Sequence, residues 1–430
     1  MFLLQNILKI LAQKILAKYH PKIIGITGSV GKTSAKEAIF LGLDGKFKVR
    51  RSLKNYNNEI GVPLTIIGTE SGNKNPWIWL KIFSRAVFLL IKKNTSYPEI
   101  LILEMGADKP GDIKYLTKIA PCDIGVLTAI GPTHLENFKT MRQVTEEKQI
   151  ILKHLRGEGL AVFNFDDPLV IEMKERLKVK TISFGFNKGA DLQAEQLSLV
   201  QEMEDGLMTI KGLTFKVRYG GALVPFVLNE TIGDQAVYAV LAGVAVCLSL
   251  GINLLELSEK FKKYVSPPSR MRLISGIKYT TLIDDSYNSS PKAALVSLEA
   301  LAQLKIEDHG RKIAVLGDML ELGSYTEEGH RLVGRKVAES NVDFLVTVGE
   351  RAKDIAEEAA KLGMSDNKIA KFNKSEEAGL FLQEKLQIGD VVLIKGSQGV
   401  RMEKITVELM SEPTQAENLV CRQDKSWQKQ

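Results

Sequence analysis

A chain of 430 residues exceeds what one hydrophobic core normally supports, so more than one domain is expected. With 44% apolar and 25% charged residues it reads as an ordinary soluble globular protein, and its net charge of +7 suits an anionic substrate or an acidic membrane surface. The basic excess is spread thinly and lacks the basic-plus-aromatic clusters of a nucleic-acid reader, so no nucleic-acid partner is expected; the three cysteines, Cys122, Cys247 and Cys421, lack metal-ligand spacing and read as reduced cytoplasmic thiols rather than a disulfide scaffold.

Residues 1–21 read as an amphipathic helix, with Leu4, Ile7, Leu8, Leu11 and Ile15 on one face. Lys9, Lys14 and Lys18 interrupt the apolar run and no small-residue cleavage site follows, which argues against a secretion signal. The apolar run at Ile23 and Ile24 then enters GITGSVGKTSAK, Gly25 to Lys36. A glycine turn running into a helix N-terminus presents successive backbone N–H groups to nucleotide phosphates, here from Thr27, Gly28, Ser29, Val30 and Gly31. Lys32 is expected at the β/γ-phosphates and the Thr33 hydroxyl on Mg²⁺, with Ser34 beside them. The usual first glycine of such a loop is Ile26 here, so this is the short form TGSxGKT.

Trp77 to Lys93, WIWLKIFSRAVFLLIKK, is a second apolar helical segment, shorter than the roughly 20 residues a bilayer span needs. Packing against the protein's own core is the first expectation for it and for the N-terminal helix. Peripheral attachment to the inner membrane face, lysines toward anionic lipid, is the second, and capture of a uridine by its aromatic residues the third.

From Lys22 to Val265 the runs IIGITG, EILILEMG, IGVLTAI, LAVFNF and KTISFG read as strands alternating with helices, the pattern of a three-layer α/β domain with a mostly parallel sheet. The joint Ser266-Pro267-Pro268-Ser269 marks a boundary. A smaller Rossmann-like α/β domain over 266–412 follows, with strands in TTLIDDSY, KIAVLGDM, DFLVTVG and DVVLIKGS, and 413–430 reads as a disordered polar tail. Glu104 at the carboxyl end of a strand is placed to bind a metal near the phosphate loop, or is an ordinary strand-end carboxylate; His134, past the next strand, suits a second metal ion or lies in a surface loop.

TGSVGKTSAKE, NNEIGVPLT (Asn57 to Thr65), EMGADKPGDI (Glu104 to Ile113) and IGPTHLENF (Ile130 to Phe138) together resemble the ATP-dependent Mur ligases. DDSYNSSP (Asp284 to Pro291), VLGDMLELG (Val315 to Gly323) and KGSQGVRME (Lys395 to Glu403) extend the resemblance over about residues 22–410, closest to the member that adds D-alanyl-D-alanine to a UDP-N-acetylmuramoyl tripeptide. The resemblance implies an ADP-forming amide ligase of peptidoglycan synthesis using ATP and Mg²⁺, with the UDP-muramoyl peptide and the D-Ala-D-Ala dipeptide as partners. It implies Mg²⁺ ligation by Glu104 and His134 with Thr33, carbamylation of Lys148 as a further anionic ligand, and closure over ATP by Arg270, Asp285, Tyr287 and Asn288. It also implies muramoyl-peptide contacts at Asn57 and Asn58, and a dipeptide pocket at Asp318, Glu321, Lys395 and Ser397.

Two departures stand out. Family members carry an N-terminal uridine-holding domain, whereas about twenty residues precede the first strand here; and the adenine-reading GxHNxxN is Gly233-Asp234-Gln235-Ala236-Val237-Tyr238-Ala239, in which both asparagines are alanine and Gln235 is left to replace one amide contact. A ligase acting on another carboxylate, of folylpolyglutamate or cyanophycin type, and a non-catalytic nucleotide-binding scaffold are the alternatives. A GTPase switch lacks its Asn-Lys-x-Asp reader. The third residue of the acceptor and the oligomeric state are not legible in the chain.

Overall fold

The computed structural model describes residues 2–52, 56–132, 135–174, 177–204, 206–306, 310–423 and 427. The first sheet has nine strands: β1 (Lys22–Thr27), β2 (Val49–Arg51), β3 (Ile100–Glu104), β4 (Ile124–Leu127), β5 (Leu160–Asn164), β6 (Lys180–Gly185), β7 (Leu192–Glu204), β8 (Leu207–Tyr219) and β9 (Ala222–Asn229). Their order is β2-β3-β1-β4-β5-β6-β7-β8-β9, parallel as far as β7 and antiparallel beyond it.

The central strands are continuous apolar runs because helices cover both of their faces. Side chains alternate: Ile24 and Ile26 of β1 point into one core, Ile23 into the other. The first core is closed by α2 (Lys32–Leu43), α9 (Asp234–Ser249) and α10 (Leu254–Phe261). The second is closed by α1 (Phe2–Tyr19), α3 (Gly61–Ile67), α4 (Pro76–Ile91), α5 (Asp112–Ile119) and α7 (Met141–Lys153). Short helices α6 (Leu135–Phe138) and α8 (Pro168–Ile171) lie between them in the chain.

Helix α1 uses Leu8, Ala12 and Ile15, all fully buried, to dock on α3 and α4; each such leucine or isoleucine contributes about 1.5–3 kcal/mol. Leu4 and Leu11 are half-buried, and Ile7, expected on the same face, is exposed. Helix α4 starts on Pro76, with the Asn75 side chain accepting from Trp77 N, and buries only Ile82, Ala86 and Leu89. The self-packing expectation therefore holds for one stripe of each helix.

The second sheet has six strands, β10 (Arg272–Ser275), β11 (Thr281–Asp285), β12 (Lys312–Gly317), β13 (Phe344–Val348), β14 (Ile369–Phe372) and β15 (Val391–Lys395), in the order β10-β11-β15-β12-β13-β14. Only β10 runs antiparallel. Helix α11 (Pro291–Gln303) covers one face together with 326–339 and 353–361, and helices at 375–385 and 403–409 cover the other.

Two features differ from the sequence expectation. The parallel pattern read through to Val265 breaks at β7–β9, a twisted antiparallel meander whose β8–β9 turn places Gly220 and Gly221 at positive φ, as two-residue hairpins require. Within the 413–430 tail, residues 413–423 are ordered: a helical turn at Ala416–Leu419 buries Ala416 and Val420 against the second domain.

Candidate active site

The phosphate loop is shaped by two glycines. Gly31 caps α2 at φ +87°, a conformation that side chains disfavour, and a Cβ on Gly28 would stand 2.0 Å from the Thr128 hydroxyl. Thr128 Oγ1 donates to Val30 O at 2.6 Å and Ser29 N to Ala129 O at 2.6 Å, so the loop is pinned to the segment after β4. The Thr27 hydroxyl is buried and donates to Met105 O, tying the end of β1 to the end of β3. Lys32 folds back, its ammonium donating to Gly28 O at 2.7 Å and Ser29 O at 3.3 Å. Burial and the Arg270 charge lower its pKa, opposed by Glu104 and Asp108.

Strands β1 and β3 pair with Ile26 opposite Glu104, which brings the carboxylate to the first turn of α2. Thr33 Oγ1 donates to Glu104 Oε2 at 3.1 Å, and Asn57 Nδ2 lies 3.4 Å from Oε1. A hydroxyl and a carboxylate oxygen beside a phosphate cradle are the donor set that Mg²⁺ takes along with nucleotide oxygens. Lys36, one turn after Thr33, is buried with its ammonium 3.8 Å from the same carboxylate; the helical spacing 33/36 was the available signal for it. His134 lies outside the described residues.

Lys148 is not a solvated helix lysine. It is 2% exposed on the inner face of α7, and burial, with the Lys32 charge, lowers its pKa to about 7. Its neighbour Glu147 accepts from Gly111 N and Ile113 N, so that carboxylate caps α5. Asn57 and Asn58 line a cavity of about 380 Å³ with Gln5, Glu59, Asp108 and Tyr115; Asn58 also accepts from Gly61 N at the start of α3.

A second cavity opens between the two sheets. Ser29, Val30, Gly31, Ser34 and Gln235 line it from the first domain, and Arg270, Asp285, Tyr287, Asn288 and Lys395 face them. The Arg270 guanidinium sits 4.1 Å from the Tyr287 ring centroid. Arg272 instead donates to Ser266 O and pairs across β10–β11, which separates the two arginines that the sequence left close to each other. Ala236 lines the same cavity, and Ala239 an adjoining one with Asn164, Asp166 and Tyr238; both cavities also include Val30 and Gly31 of the loop. Tyr238 Oη donates to Asp166 at 2.8 Å. The sequence reading missed Tyr264, a buried tyrosine that lines the inter-sheet cavity beside Ser34; nothing in its helix-end context signals a ligand.

Of the four residues expected around a dipeptide, Asp318 and Ser397 stay together and Lys395 lies apart from them. Lys395 donates to Asp285 at 2.6 Å and to Asn288 O, and so belongs with the inter-sheet cavity. Asp318 accepts from Ala352 N, and Ser397 accepts from Leu320 N while its own N donates to Asp318 O, so these two brace the loops after β12 and β15. Glu321 is exposed at φ +65° in the loop after β12.

Residues 86–247 match the family model of the Mur ligase middle domain, and residues 269–398 that of the Mur ligase, glutamate ligase domain, together more than half of the chain. The chain is 29% identical over 407 residues to the UDP-N-acetylmuramoyl-tripeptide–D-alanyl-D-alanine ligase of Bacillus subtilis (strain 168), covering 94% of this chain and 79% of that protein. It is similar to the solved MurF ligase from Thermotoga maritima in complex with ADP, with a TM-score of 0.74 and 29% identity over 94% of this chain and 82% of that one. MurF from Acinetobacter baumannii superposes with a TM-score of 0.77 at 25% identity, over 95% of this chain and 81% of that one.

Proposed function

The chain belongs to the Mur ligase family, and we infer that it is the ATP-dependent ligase that joins D-alanyl-D-alanine to a UDP-N-acetylmuramoyl tripeptide in peptidoglycan synthesis. The observation that carries the reading is the inter-sheet cavity, where the phosphate loop faces Arg270, Asp285, Tyr287 and Asn288 of the other domain. A nucleotide held between two domains is held for transfer to a substrate that both can reach. Residues 22–265 form the nucleotide-binding domain in this reading and residues 266–412 the domain that brings the dipeptide.

The tripeptide's terminal carboxylate attacks the γ-phosphorus of ATP and ADP leaves, giving an acyl phosphate. The dipeptide amine then attacks the acyl carbon, phosphate leaves, and the amine proton passes to solvent. Loop N–H groups, Lys32 and Arg270 neutralise charge on the transferred phosphoryl group, and closure of the two domains excludes water. Thr33 and Glu104 would hold Mg²⁺, which would supply neutralising positive charge to the nucleotide phosphates. The Lys148 amine, whose pKa burial lowers to about 7, is the group that takes up CO₂ as a carbamate, its proton passing to solvent. Asn57 and Asn58 and their cavity receive the muramoyl peptide, and Asp318, Glu321 and Ser397 shape the dipeptide side. The enzyme works in the cytoplasm, in peripheral contact with the inner membrane face.

Phosphate release measured with the UDP-muramoyl tripeptide and candidate dipeptides in turn tests the reading. Turnover is expected to require ATP, the tripeptide and D-alanyl-D-alanine together. Turnover with a polyglutamyl carboxylate in place of the tripeptide, or none with any pair, would overturn it.

A further inference from the structure

We propose that the outer faces of α1 and α4 form one docking surface for a bilayer carrying anionic lipid. This deepens the peripheral-membrane part of the functional reading and rests on it only for the leaflet concerned. Among the described residues seventeen large apolar side chains are exposed, and nine of them stand on these two helices. Leu3, Ile7 and Ile10 follow one stripe of α1, and Trp77, Leu80, Phe88 and Ile91 one face of α4, with Trp77 and Ile91 more than 70% exposed. The stripes that the fold needs, Leu8, Ala12 and Ile15 on α1 and Ile82, Ala86 and Leu89 on α4, are separate from these and already buried. Exposed apolar surface on that scale marks an interaction site.

The two faces are held in a fixed relation. The Lys18 ammonium donates to Leu89 O, Leu90 O and Lys92 O, and the Tyr19 hydroxyl to Leu89 O, which locks the C-terminal ends of the two helices together. Charge then selects the occupant. Neither helix contains an acidic residue, in a chain with 51 of them, while Lys14, Lys81, Arg85, Lys92 and Lys93 are exposed on or beside the apolar face. Apolar and purely cationic side chains interleaved on one surface complement an anionic headgroup layer over an acyl boundary. The apolar groups enter the layer and the lysines stay at phosphate level. A second copy of the chain would instead bring cations against cations. The surface covers the α1–α4 side of the sheet, away from the inter-sheet cavity, so docking leaves the nucleotide site open.

Flotation of the full chain with vesicles of phosphatidylglycerol and phosphatidylcholine, against phosphatidylcholine alone, at about 0.05 and 0.5 M salt tests this. Co-flotation is expected only with anionic vesicles and mainly at low salt. Replacing Lys81, Lys92 and Lys93 by glutamine should weaken partitioning on the order of a hundredfold, since each basic side chain near such a surface is worth about fivefold. Trp77→Ser with Leu80→Ser and Phe88→Ser should abolish it while the chain keeps its circular dichroism. In a Trp79→Phe, Trp427→Phe background the emission of Trp77 should shift to the blue on vesicle addition. No flotation at low salt, or a concentration-dependent dimer that the serine variant dissociates, overturns the proposal. Ligase turnover measured on the same samples is expected to be unchanged; its absence in a chain that floats would remove the functional reading and leave the surface standing.

Discussion

Lys32 holds the loop together through the carbonyls of Gly28 and Ser29, and in the proposed function it exchanges those acceptors for phosphate oxygens when nucleotide enters. Lys32→Ala is therefore expected to lower turnover by about 10²–10³-fold, the usual cost of one charge-stabilising donor, and to cost about 1 kcal/mol of stability for the lost bonds. Near-normal phosphate release would remove the lysine from the mechanism. At Lys148 the direction of the pKa shift matters more than the charge. Burial holds the ammonium down to about 7, so the neutral amine that CO₂ requires predominates above that pH and disappears below it. Activity that depends on the carbamate should rise with pH through about 7. Lys148→Ala should lose most activity and regain part of it when acetate is added, whereas a fully active alanine variant would leave Lys148 as a buried structural lysine.

Segment 413–423 shows how an element of little apolar content is anchored. Arg422, 4% exposed, donates to Glu403 at 3.1 Å, to Ser286 O and to Tyr287 O, and Cys421 N donates to the Ser269 hydroxyl that also bonds Asp284. The segment thus braces from behind the turn whose Tyr287 stacks on Arg270 in front. Arg422→Ala should raise KM for ATP severalfold with KM for the dipeptide unchanged, and cost roughly 2 kcal/mol, less than a fully orphaned buried pair because Arg401 still pairs with Glu403. A stability loss with unaltered kinetic constants would limit the segment to packing. This element was illegible in the sequence because two small anchors and one arginine in a polar stretch carry no periodicity. Strands β7–β9 were lost for a related reason: register shifts at Glu195/Ser198 and Val200/Gln201 break the alternation. The nine expected strands were legible because burial on both faces writes continuous apolar runs. Thr33 and Glu104 were legible for another reason, since adjacent parallel strands end together. Lys148 was singled out by the family resemblance alone, because its burial depends on the rotation of α7.

At the scale of the whole molecule the two sheets have separate cores, and the described contacts between the domains include exposed or half-buried polar ones. Lys292 of α11 reaches Ile130 O and Asp167, and Gln201 and Lys305 exchange two hydrogen bonds. Ile210 and Ile232 add a small apolar patch to the core of the second domain. An interface of this composition permits relative motion, so the nucleotide, contacting both sides of the inter-sheet cavity, should be the main coupling. Calorimetry is expected to show two transitions in the free chain that converge when ADP or a non-hydrolysable ATP analogue is added. Ligand at about a hundredfold its Kd adds about 2.7 kcal/mol to the state that binds it, which for a domain of about 150–250 residues is about 5–10 °C. Arg270→Ala should keep the shift of the first domain, whose loop still binds phosphate, and lose that of the second. If the second transition moves equally in the variant, coupling runs through the Lys292 and Gln201 contacts instead, and closure over the nucleotide is not what joins the domains.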